Sequence, residues 1–508
     1  MAAFDRRSGV FCHPTALPGP HGIGSIGAPA RSFVETIAAA GQSLWQLCPL
    51  GPTVGIHGDS PYQSSSSFAL SPLLIDLEAL NERGLLTDDA LEPDPELDHE
   101  LTDDRVAYDA VRSFKTSRLR VAFETFEREQ PPDLVDGLEQ FRAESTWLEE
   151  YAHFAALKAD FDRQAWLDWP EPIRLRDPDA LERSCEQRAS DIRYHAFVQY
   201  LAAEQWTELR DHAAAHGVEI VGDLPIYVAL DSADVWANPD IFELEDHGTP
   251  AVVSGVPPGG GGETDGQKWG NPVYDWDRLA ETSYEWWVDR FERLFELVDI
   301  ARLDHFLAFD RYWAIPADAP AHEGEWRDGP GRELFETVAD GCDELPLIAE
   351  DLGHLTDGVE RLRQSIGAPG MRVLQYADWC TEDHRYQPHV YPEDSVAYPA
   401  THDTNTVVGW YESVDGEQRD CLHYYLSTDG HEIHWEFLEA AWESDAVFAI
   451  TPLPDLYGLD GEARFNTPGT ADGNWDWRLS TDRLESFPTA RLRELTARTD
   501  RLDETTSH

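Results

Sequence analysis

The segment 297–306 reads LVDIARLDHF, an apolar run followed by three polar side chains. The apolar run is too short to show a helical period and predicts a buried strand. Arg302 and Asp304 stand two residues apart, and such residues point to the same face of an extended chain. The guanidinium can therefore hold the Asp304 carboxylate ionised. Taken alone, the segment is better explained by a structural ion pair at a strand end, with His305 as a neighbour.

The same pattern, a strand followed by polar residues, recurs along the chain and alternates with helical stretches. Two early strands are predicted near Val10 and Leu44. Six later ones are predicted at Val218–Gly222, Leu297–Ala301, Leu345–Ala349, Met371–Tyr376, Val396–Pro399 and Val447–Ile450. Alternation of this kind predicts a parallel α/β sheet. About eight strands favour a (β/α)8 TIM barrel with helical and loop insertions over a doubly wound sheet. The chemistry of such a barrel lies at the carboxyl ends of its strands.

Three acidic residues that follow predicted strands are the candidate catalytic residues: Asp304, Glu350 and Asp403. Cleavage of a glycosidic bond requires two carboxyl groups flanking that bond. Three carboxylates in one pocket also repel one another, which raises the pKa of at least one of them, as a general acid requires. Each acid alone could be a helix cap or an ion-pair member. Their joint pattern favours Asp304 as a nucleophile and Glu350 as the proton carrier.

The charge of the chain excludes some partners. The formal net charge is −58, and only three lysines occur among 508 residues. Nucleic acids and anionic membranes are therefore unsuitable partners. Molar salt shortens the screening length to about 3 Å, so the acid excess indicates a halophile with a salt-rich cytoplasm. An ordinary acidic enzyme is the alternative.

The cysteines and the amino terminus indicate a cytoplasmic protein. Six cysteines occur singly, without a C-x-x-C pair, and we interpret them as reduced core residues. Residues 1–9 contain no apolar region of the signal-peptide type, and the chain has no apolar run long enough to span a membrane.

We expect residues 1–508 to form one catalytic barrel with two additions. Residues 78–210 are acidic and carry apolar residues at helical spacing, which predicts a mostly helical insertion. Residues 254–271, with Gly259–Gly262 at the centre, predict a flap loop over the active site. The hydroxyl-rich loop 58–65 suits a polyhydroxylated ligand, although a hydrophilic surface turn explains it equally well.

Other chemistries fit less well. The G-x-G-x-x-G match at 22–27 follows a proline-rich loop where a dinucleotide-binding fingerprint needs a strand. The segment His431–His434 is one residue short of H-E-x-x-H, and no G-x-S-x-G elbow occurs. Several of the eighteen tryptophans lie beside predicted loops and could stack on sugar rings. These are Trp269, Trp379, Trp410, Trp475 and Trp477.

Ordered motifs along nearly the whole chain resemble the 4-alpha-glucanotransferases, also called amylomaltases or disproportionating enzymes, within the α-amylase-like barrel group. The matching segments are 8–10, 13–15, 17–20, 22–24, 58–63, 222–228, 234–236, 266–272, 302–306, 349–353, 370–375, 401–403 and 466–470. The resemblance implies a (β/α)8 barrel without a separate carboxyl-terminal β-sandwich. It also implies transfer of α-1,4-glucan segments between malto-oligosaccharides, with retention of configuration and without a metal or organic cofactor.

Carried over residue by residue, the resemblance implies Asp304 as nucleophile, Glu350 as general acid/base and Asp403 as the stabiliser of a distorted donor sugar. The implied glucose-contacting residues are Ser60, Tyr62, Asp223, Gln267, Trp269, Arg302, His305, His402 and Asn466.

Two departures from the family pattern are present. Gly259–Gly262 replaces bulkier residues, and Leu307-Ala308 replaces a commoner Arg-Gly. The glycines put acceptor guidance and cyclic-product formation in question. An α-glucan hydrolase with the same acids and a catalytically silent glycan-binding scaffold stay as alternatives, and oligomeric state is open.

Overall fold

Eight parallel strands close into a barrel in the computed structural model, which describes residues 4–93, 97, 99–259, 265–341, 345–470 and 472–502. The twelve strands are β1 (Arg7–Phe11), β2 (Leu44–Gln46), β3 (Glu219–Pro225), β4 (Val252–Val256), β5 (Gln267–Pro272), β6 (Ile300–Asp304), β7 (Arg311–Pro316), β8 (Glu325–Asp328), β9 (Leu347–Ala349), β10 (Gly370–Val373), β11 (Ser395–Tyr398) and β12 (Phe448–Pro452). Around the barrel the order is β1–β12–β11–β10–β9–β6–β3–β2.

All eight predicted strands belong to this barrel, so the predicted (β/α)8 fold is confirmed. Most of their residues are apolar and buried, as expected for parallel strands covered on both faces. The pairing of β3 with β6 sets Asp223 opposite Arg302 and Pro225 opposite Asp304. This register brings two strand ends with charged side chains together at one rim.

Helices surround the barrel. They are α1 (Ala28–Ala39), α2 (Leu77–Glu82), α3 (Asp88–Leu91), α4 (Tyr108–Glu129), α5 (Pro132–Glu144), α6 (Leu148–Asp160), α7 (Glu171–Arg174), α8 (Pro178–Gln187), α9 (Ala189–Ala215), α10 (Ala233–Ala237), α11 (Trp276–Glu281), α12 (Glu285–Leu297), α13 (Gly331–Gly341), α14 (Asp357–Ile366), α15 (Val407–Ser413), α16 (Gly416–Leu426), α17 (Ile433–Glu443), α18 (Leu453–Leu456), α19 (Thr481–Glu485) and α20 (Thr489–Arg498). Helices α2 to α9 all lie between β2 and β3. After Pro452 the described residues add helices and no strand.

A second sheet stands beside the barrel, with the order β5–β4–β7–β8 and antiparallel pairing. Its strands β4 and β5 include the two ends of the segment 254–271, for which the sequence predicted a loop. The connection between them includes Gly260–Gly262, which lie outside the described residues. Leu307 and Ala308, the second departure, are buried in a short 3₁₀ helix, Phe306–Phe309.

The glycine-rich segment 22–27 serves close packing. Strand β1 ends at Phe11, well before these glycines. A Cβ atom on Gly24 would lie 1.9 Å from the Pro14 carbonyl oxygen, so only glycine fits at that position. The motif is explained by this approach of two backbone segments.

Two expectations about side chains are wrong. Cys380 and Cys421 form a disulfide between the loop after β10 and helix α16, so the interpretation of all six cysteines as reduced core residues fails. Single cysteines far apart in sequence give no sign of which pair will meet. Trp379, Trp475 and Trp477 are buried in the core and present no stacking face to solvent, so the stacking expectation is wrong for these three of the five tryptophans.

No helix among the described residues has the length and apolar character needed to cross a membrane.

Candidate active site at the carboxyl ends of the barrel strands

Arg302 is the centre of a charge network at the rim. Its Nη1 atom lies 2.6 Å from Asp223 Oδ2 and 2.9 Å from Asp304 Oδ1. The predicted shared face of Arg302 and Asp304 is thus present, and β3 supplies a second carboxylate. The side chains of Arg302 and Asp223 are 4% and 0% exposed, whereas that of Asp304 is 28% exposed. Asp304 therefore reaches the solvent side while its partners stay buried.

Tyr62 joins this network to Asp403. Its hydroxyl donates to Asp223 Oδ2 at 2.8 Å and lies 2.9 Å from His402 Nε2. The same His402 nitrogen is 3.2 Å from Asp403 Oδ2. Asn466 Nδ2 donates to the other Asp403 oxygen at 2.6 Å. One continuous polar chain therefore connects strand ends β3 and β6 with the loop after β11.

Glu350 directly follows β9 and is held by the backbone. The amide of His305 donates to its Oε2 at 2.8 Å, and the amide of Leu352 donates to its Oε1 at 3.0 Å. Burial raises the pKa of Glu350 well above its usual value, and the nearby Asp304 raises it further, against the opposing effect of Arg302. The environment therefore favours a protonated Glu350, as a general acid requires.

Asp403 has the opposite electrostatic character. Burial alone would raise its pKa, but the charge of His402 and hydrogen bonds from His402 and Asn466 outweigh burial and lower it below the usual range. The interaction also favours the charged form of His402, because Asp403 raises the pKa of His402 against the effect of burial. Asp403 is therefore held as a carboxylate.

His305 is placed by an uncommon backbone conformation. Its φ of 53° is in the left-handed region, which turns the chain sharply just after β6. The ring packs edge-on against Trp269, with 4.7 Å between ring centroids. Its Nε2 atom is buried without a hydrogen-bond partner, and burial lowers the pKa of His305 to about 4. A neutral imidazole with an unused nitrogen thus faces the site.

An open groove lies above the network. Among the predicted site residues, those lining it are Ser60, Tyr62, Gln267, Trp269, Asp304, His305, Asp403 and Asn466. The other four, Asp223, Arg302, Glu350 and His402, lie beneath this layer and bond to it or to its backbone. All twelve predicted site residues are therefore gathered at one end of the barrel.

The structure adds groove residues that the sequence reasoning did not assign. Gln63 Nε2 donates to Asn271 Oδ1 at 3.3 Å, and both residues line the groove together with Tyr227. Arg464 donates to the Asp403 carbonyl at 2.5 Å. Gln63, Asn271 and Tyr227 belong to segments that matched the family motifs, so that match was the available signal. Nothing in the sequence pointed to Arg464.

The helical segment between β2 and β3 supports the site loop from outside. Arg112 of α4 pairs with Asp59, which also accepts a 2.7 Å hydrogen bond from the Thr53 hydroxyl. Asp59 directly precedes Ser60 and is buried. The position of the loop that carries Ser60 and Tyr62 therefore depends on a helix outside the barrel.

Comparison with known proteins identifies the family. A family model described as 4-alpha-glucanotransferase matches residues 12–484. The chain belongs to the 4-alpha-glucanotransferase family. It is 42% identical to the 4-alpha-glucanotransferase of Thermus thermophilus over 507 residues, which cover 98% of this chain and 99% of that one. Identity to the 4-alpha-glucanotransferase of Synechocystis sp. is 40%, with 97% of each chain covered.

A solved family structure has the same fold. The amylomaltase from Streptococcus agalactiae, in complex with acarbose, superposes with a TM-score of 0.92 at 34% identity, covering 98% of this chain and 100% of that one. The family, the barrel and the 4-alpha-glucanotransferase reaction expected from the sequence are thereby confirmed. The family assignment gives the reaction, and the geometry above gives the groups available to perform it.

Proposed function

We propose that this 4-alpha-glucanotransferase moves α-1,4-glucan segments between malto-oligosaccharides by retaining double displacement. In the first step the Asp304 carboxylate attacks the anomeric carbon of the donor. The bond from that carbon to the leaving O4 breaks, and Glu350 gives its proton to this oxygen. The products are a shortened glucan and a glucosyl ester on Asp304.

The second step reverses these roles. The Glu350 carboxylate takes the proton from the 4-hydroxyl of an acceptor glucan, whose oxygen attacks the anomeric carbon. The ester bond to Asp304 breaks and restores the carboxylate. Two inversions leave the new linkage in the α configuration, and no metal or organic cofactor takes part.

One observation carries this proposal: neighbouring carboxyl groups at the rim have different electrostatic environments. Arg302 contacts Asp304 at 2.9 Å and holds its carboxylate in place as the nucleophile. Glu350 is buried and its pKa is raised, which favours the acid. Asp403 is held ionised and is placed to stabilise positive charge on the distorted donor sugar. Glycosidase chemistry needs this division of roles.

The groove suits a chain of sugars. Trp269 provides an aromatic face beside His305, while Ser60, Gln267 and Asn466 provide hydrogen-bonding groups around it. Because the related S. agalactiae amylomaltase is in complex with acarbose, we assign glucose units of malto-oligosaccharides to this groove.

We also propose roles for the two additions. The segment 254–271 acts as a flap, since β5 carries Gln267 and Trp269 to the groove and joins the second sheet. The helical segment 78–210 acts as an insertion that fixes the site loop through Arg112 and Asp59. On this assignment residues 1–508 form one catalytic unit.

We further propose that the chain works in a salt-rich cytoplasm. Each of its three lysines has a specific structural partner. Lys115 is buried and donates to two carbonyls, Lys158 pairs with Asp231 at 2.7 Å, and Lys268 donates to Ala317 and Ala319. All three lysines thus have structural contacts, and the chain has a large excess of acidic residues. Such an excess is expected where salt screens the repulsion between carboxylates. The Cys380–Cys421 disulfide is unusual for a reducing compartment, so thiol trapping in cell extracts tests the location.

Product analysis with maltotriose in molar KCl tests the reaction. Transfer yields glucose together with a series of longer maltodextrins. Glucose and maltose without longer products would mean hydrolysis and would contradict the transferase proposal. No turnover at any salt concentration would favour the glycan-binding scaffold.

The same assay across a KCl series tests the salt proposal. Activity is expected to rise from dilute buffer to molar KCl, because screening relieves repulsion within a chain of net charge −58. A flat or falling profile would contradict halophily without affecting the mechanism.

A further inference from the structure

Three side chains that could bind a metal ion meet on the outside of the barrel: Glu35 of α1, His212 of α9 and His216, which directly follows α9. One possible ligand atom from each lies within 4.8 Å of those of the other two. His212 Nε2 and Glu35 Oε1 are 3.3 Å apart, and the two imidazole rings have centroids 4.3 Å apart. His216 follows His212 by four residues and stands at the end of the helix, so both rings lie on the side of α9 that faces Glu35.

The nitrogens of these histidines are available to a metal. His216 Nδ1 lies 2.8 Å from the His212 carbonyl, so it must donate its proton there. This fixes the tautomer of a neutral imidazole and leaves a lone pair on Nε2, the arrangement typical of metal-ligating histidines. His212 Nε2 is buried and has no hydrogen-bond partner, although Glu35 lies close by. The contact with Glu35 is therefore not already satisfied by a hydrogen bond.

We propose that Glu35, His212 and His216 bind one divalent transition-metal ion, of which zinc is the best match. Two imidazoles and one carboxylate suit zinc better than magnesium or calcium, which prefer oxygen ligands. Ligand atoms about 2.1 Å from a tetrahedral ion lie about 3.4 Å from one another. The Glu35–His212 separation of 3.3 Å already has this spacing, and water completes the fourth position.

The electrostatic setting favours a cation at this position. Helix α9 ends at Ala215, so its negative dipole end lies between the two histidines in sequence. The high negative charge of the chain adds to the attraction of cations. The ion would tie α1, the first helix of the barrel, to α9, the last helix before β3.

This site is separate from the proposed active site. His216 lies just before Glu219, where β3 begins, whereas the catalytic groups follow the carboxyl ends of the strands. The ion therefore stabilises the fold and takes no part in transfer. Binding and activity can thus be tested independently.

Zinc titration of the full-length, chelator-treated protein tests the proposal. Calorimetry measures the binding in molar KCl, because salt at this concentration screens carboxylates that attract cations by charge alone. Cobalt absorption then reports the ligand geometry. His212→Gln and His216→Gln each remove one ligand. His322→Gln is the matched control, because His322 also stands beside a glutamate, Glu323 at 3.9 Å, but without a second histidine.

We expect one zinc ion per chain, binding at least about tenfold weaker in either ligand variant and unchanged in His322→Gln. At one fixed zinc concentration the unfolding temperature should rise more in the wild type and the control than in the ligand variants. Transfer activity should be the same in all four proteins. Equal zinc affinity in the wild type and both ligand variants, or no saturable binding up to millimolar zinc, would overturn the proposal.

Discussion

The rim network and the outer surface contain the same kinds of charge but put them in contrasting surroundings. At the rim, Arg302 bonds to two carboxylates and is almost completely buried. On the surface, Arg128 and Glu129 form a pair at 3.0 Å with side chains 64% and 55% exposed. Water and salt screen the surface pair, whereas the rim charges act on one another with little screening. The net charge of the chain is therefore a poor guide to its chemistry, which depends on a few enclosed groups.

The contrast also operates within the rim. Glu350 and Asp403 are both carboxylic acids near Arg302, yet the pKa of Glu350 is raised and that of Asp403 is lowered. Burial dominates for Glu350, while His402 and Asn466 dominate for Asp403. Because the folded pKa of Asp403 is depressed, its contribution to stability is present above its unfolded pKa, about 4, and is lost as pH falls further.

The largest effect is expected from Asp304→Asn, which breaks the rim network at its reactive member. The amide cannot form the glucosyl ester, so kcat for maltotriose should fall by about 10⁴-fold or more. Asp318→Asn, which removes an exposed carboxylate, is the control and should leave kcat unchanged. Near-normal turnover by Asp304→Asn would remove Asp304 from the mechanism.

Glu350→Gln tests the division of roles between the carboxyl groups. Turnover of maltotriose should fall by about 10²- to 10⁴-fold. A donor with a fluoride leaving group needs no acid, and azide as acceptor needs no base. With α-maltosyl fluoride and azide the variant should therefore recover to within about tenfold of wild type. If the variant loses activity equally with maltotriose and with α-maltosyl fluoride and azide, Glu350 is not the proton carrier.

The pH profile sharpens the same test. The wild type needs a protonated Glu350 to cleave maltotriose, so kcat/KM should fall as pH rises through the raised pKa of that group. This basic limb should be absent from the Glu350→Gln profile. A basic limb that persists in the variant would assign the titration to another group.

Much of this organisation is predictable from the sequence because it depends on local rules. Short apolar runs with polar residues after them identified every barrel strand, and the period of a strand placed Arg302 and Asp304 on one face. The remaining site residues were predicted from the family motifs. These signals are contained in neighbouring residues or in ordered motifs.

The remaining features depend on contacts between distant segments that no local rule specifies. The hydrogen bond of Tyr62 to Asp223, the Cys380–Cys421 bridge and the meeting of Glu35 with His212 all require the closed barrel. Strands β4 and β5 of the second sheet were also missed, because the glycines between them indicated a loop. Tertiary pairing outweighed that local preference.

Arg112→Met compares a buried ion pair with an exposed one. The substitution leaves Asp59 buried without its cation, which should cost about 3 kcal/mol of unfolding free energy and raise KM through displacement of the site loop. The matched change Arg128→Met removes an exposed partner and should cost less than about 1 kcal/mol. Denaturant unfolding of both variants gives the comparison. Equal losses of unfolding free energy would mean that burial does not determine how much an ion pair contributes to the stability of this protein.

Cys421→Ser gives the smallest effect and tests how the rim loop after β10 is held. The disulfide closes a loop across a sequence separation of 41 residues, for which about 2 to 4 kcal/mol is usual. Other bonds already join the same segments, since Gln418 donates to Asp378 at 2.8 Å and accepts from the Trp379 amide at 2.9 Å. We therefore expect a loss of only about 2 kcal/mol, measured by thermal unfolding, with transfer activity retained. Dithiothreitol should lower the thermal unfolding midpoint of the wild type to that of the variant and leave the midpoint of the variant unchanged. A variant that loses activity together with stability would show that the bridge, and not the hydrogen bonds around Gln418, positions this part of the rim.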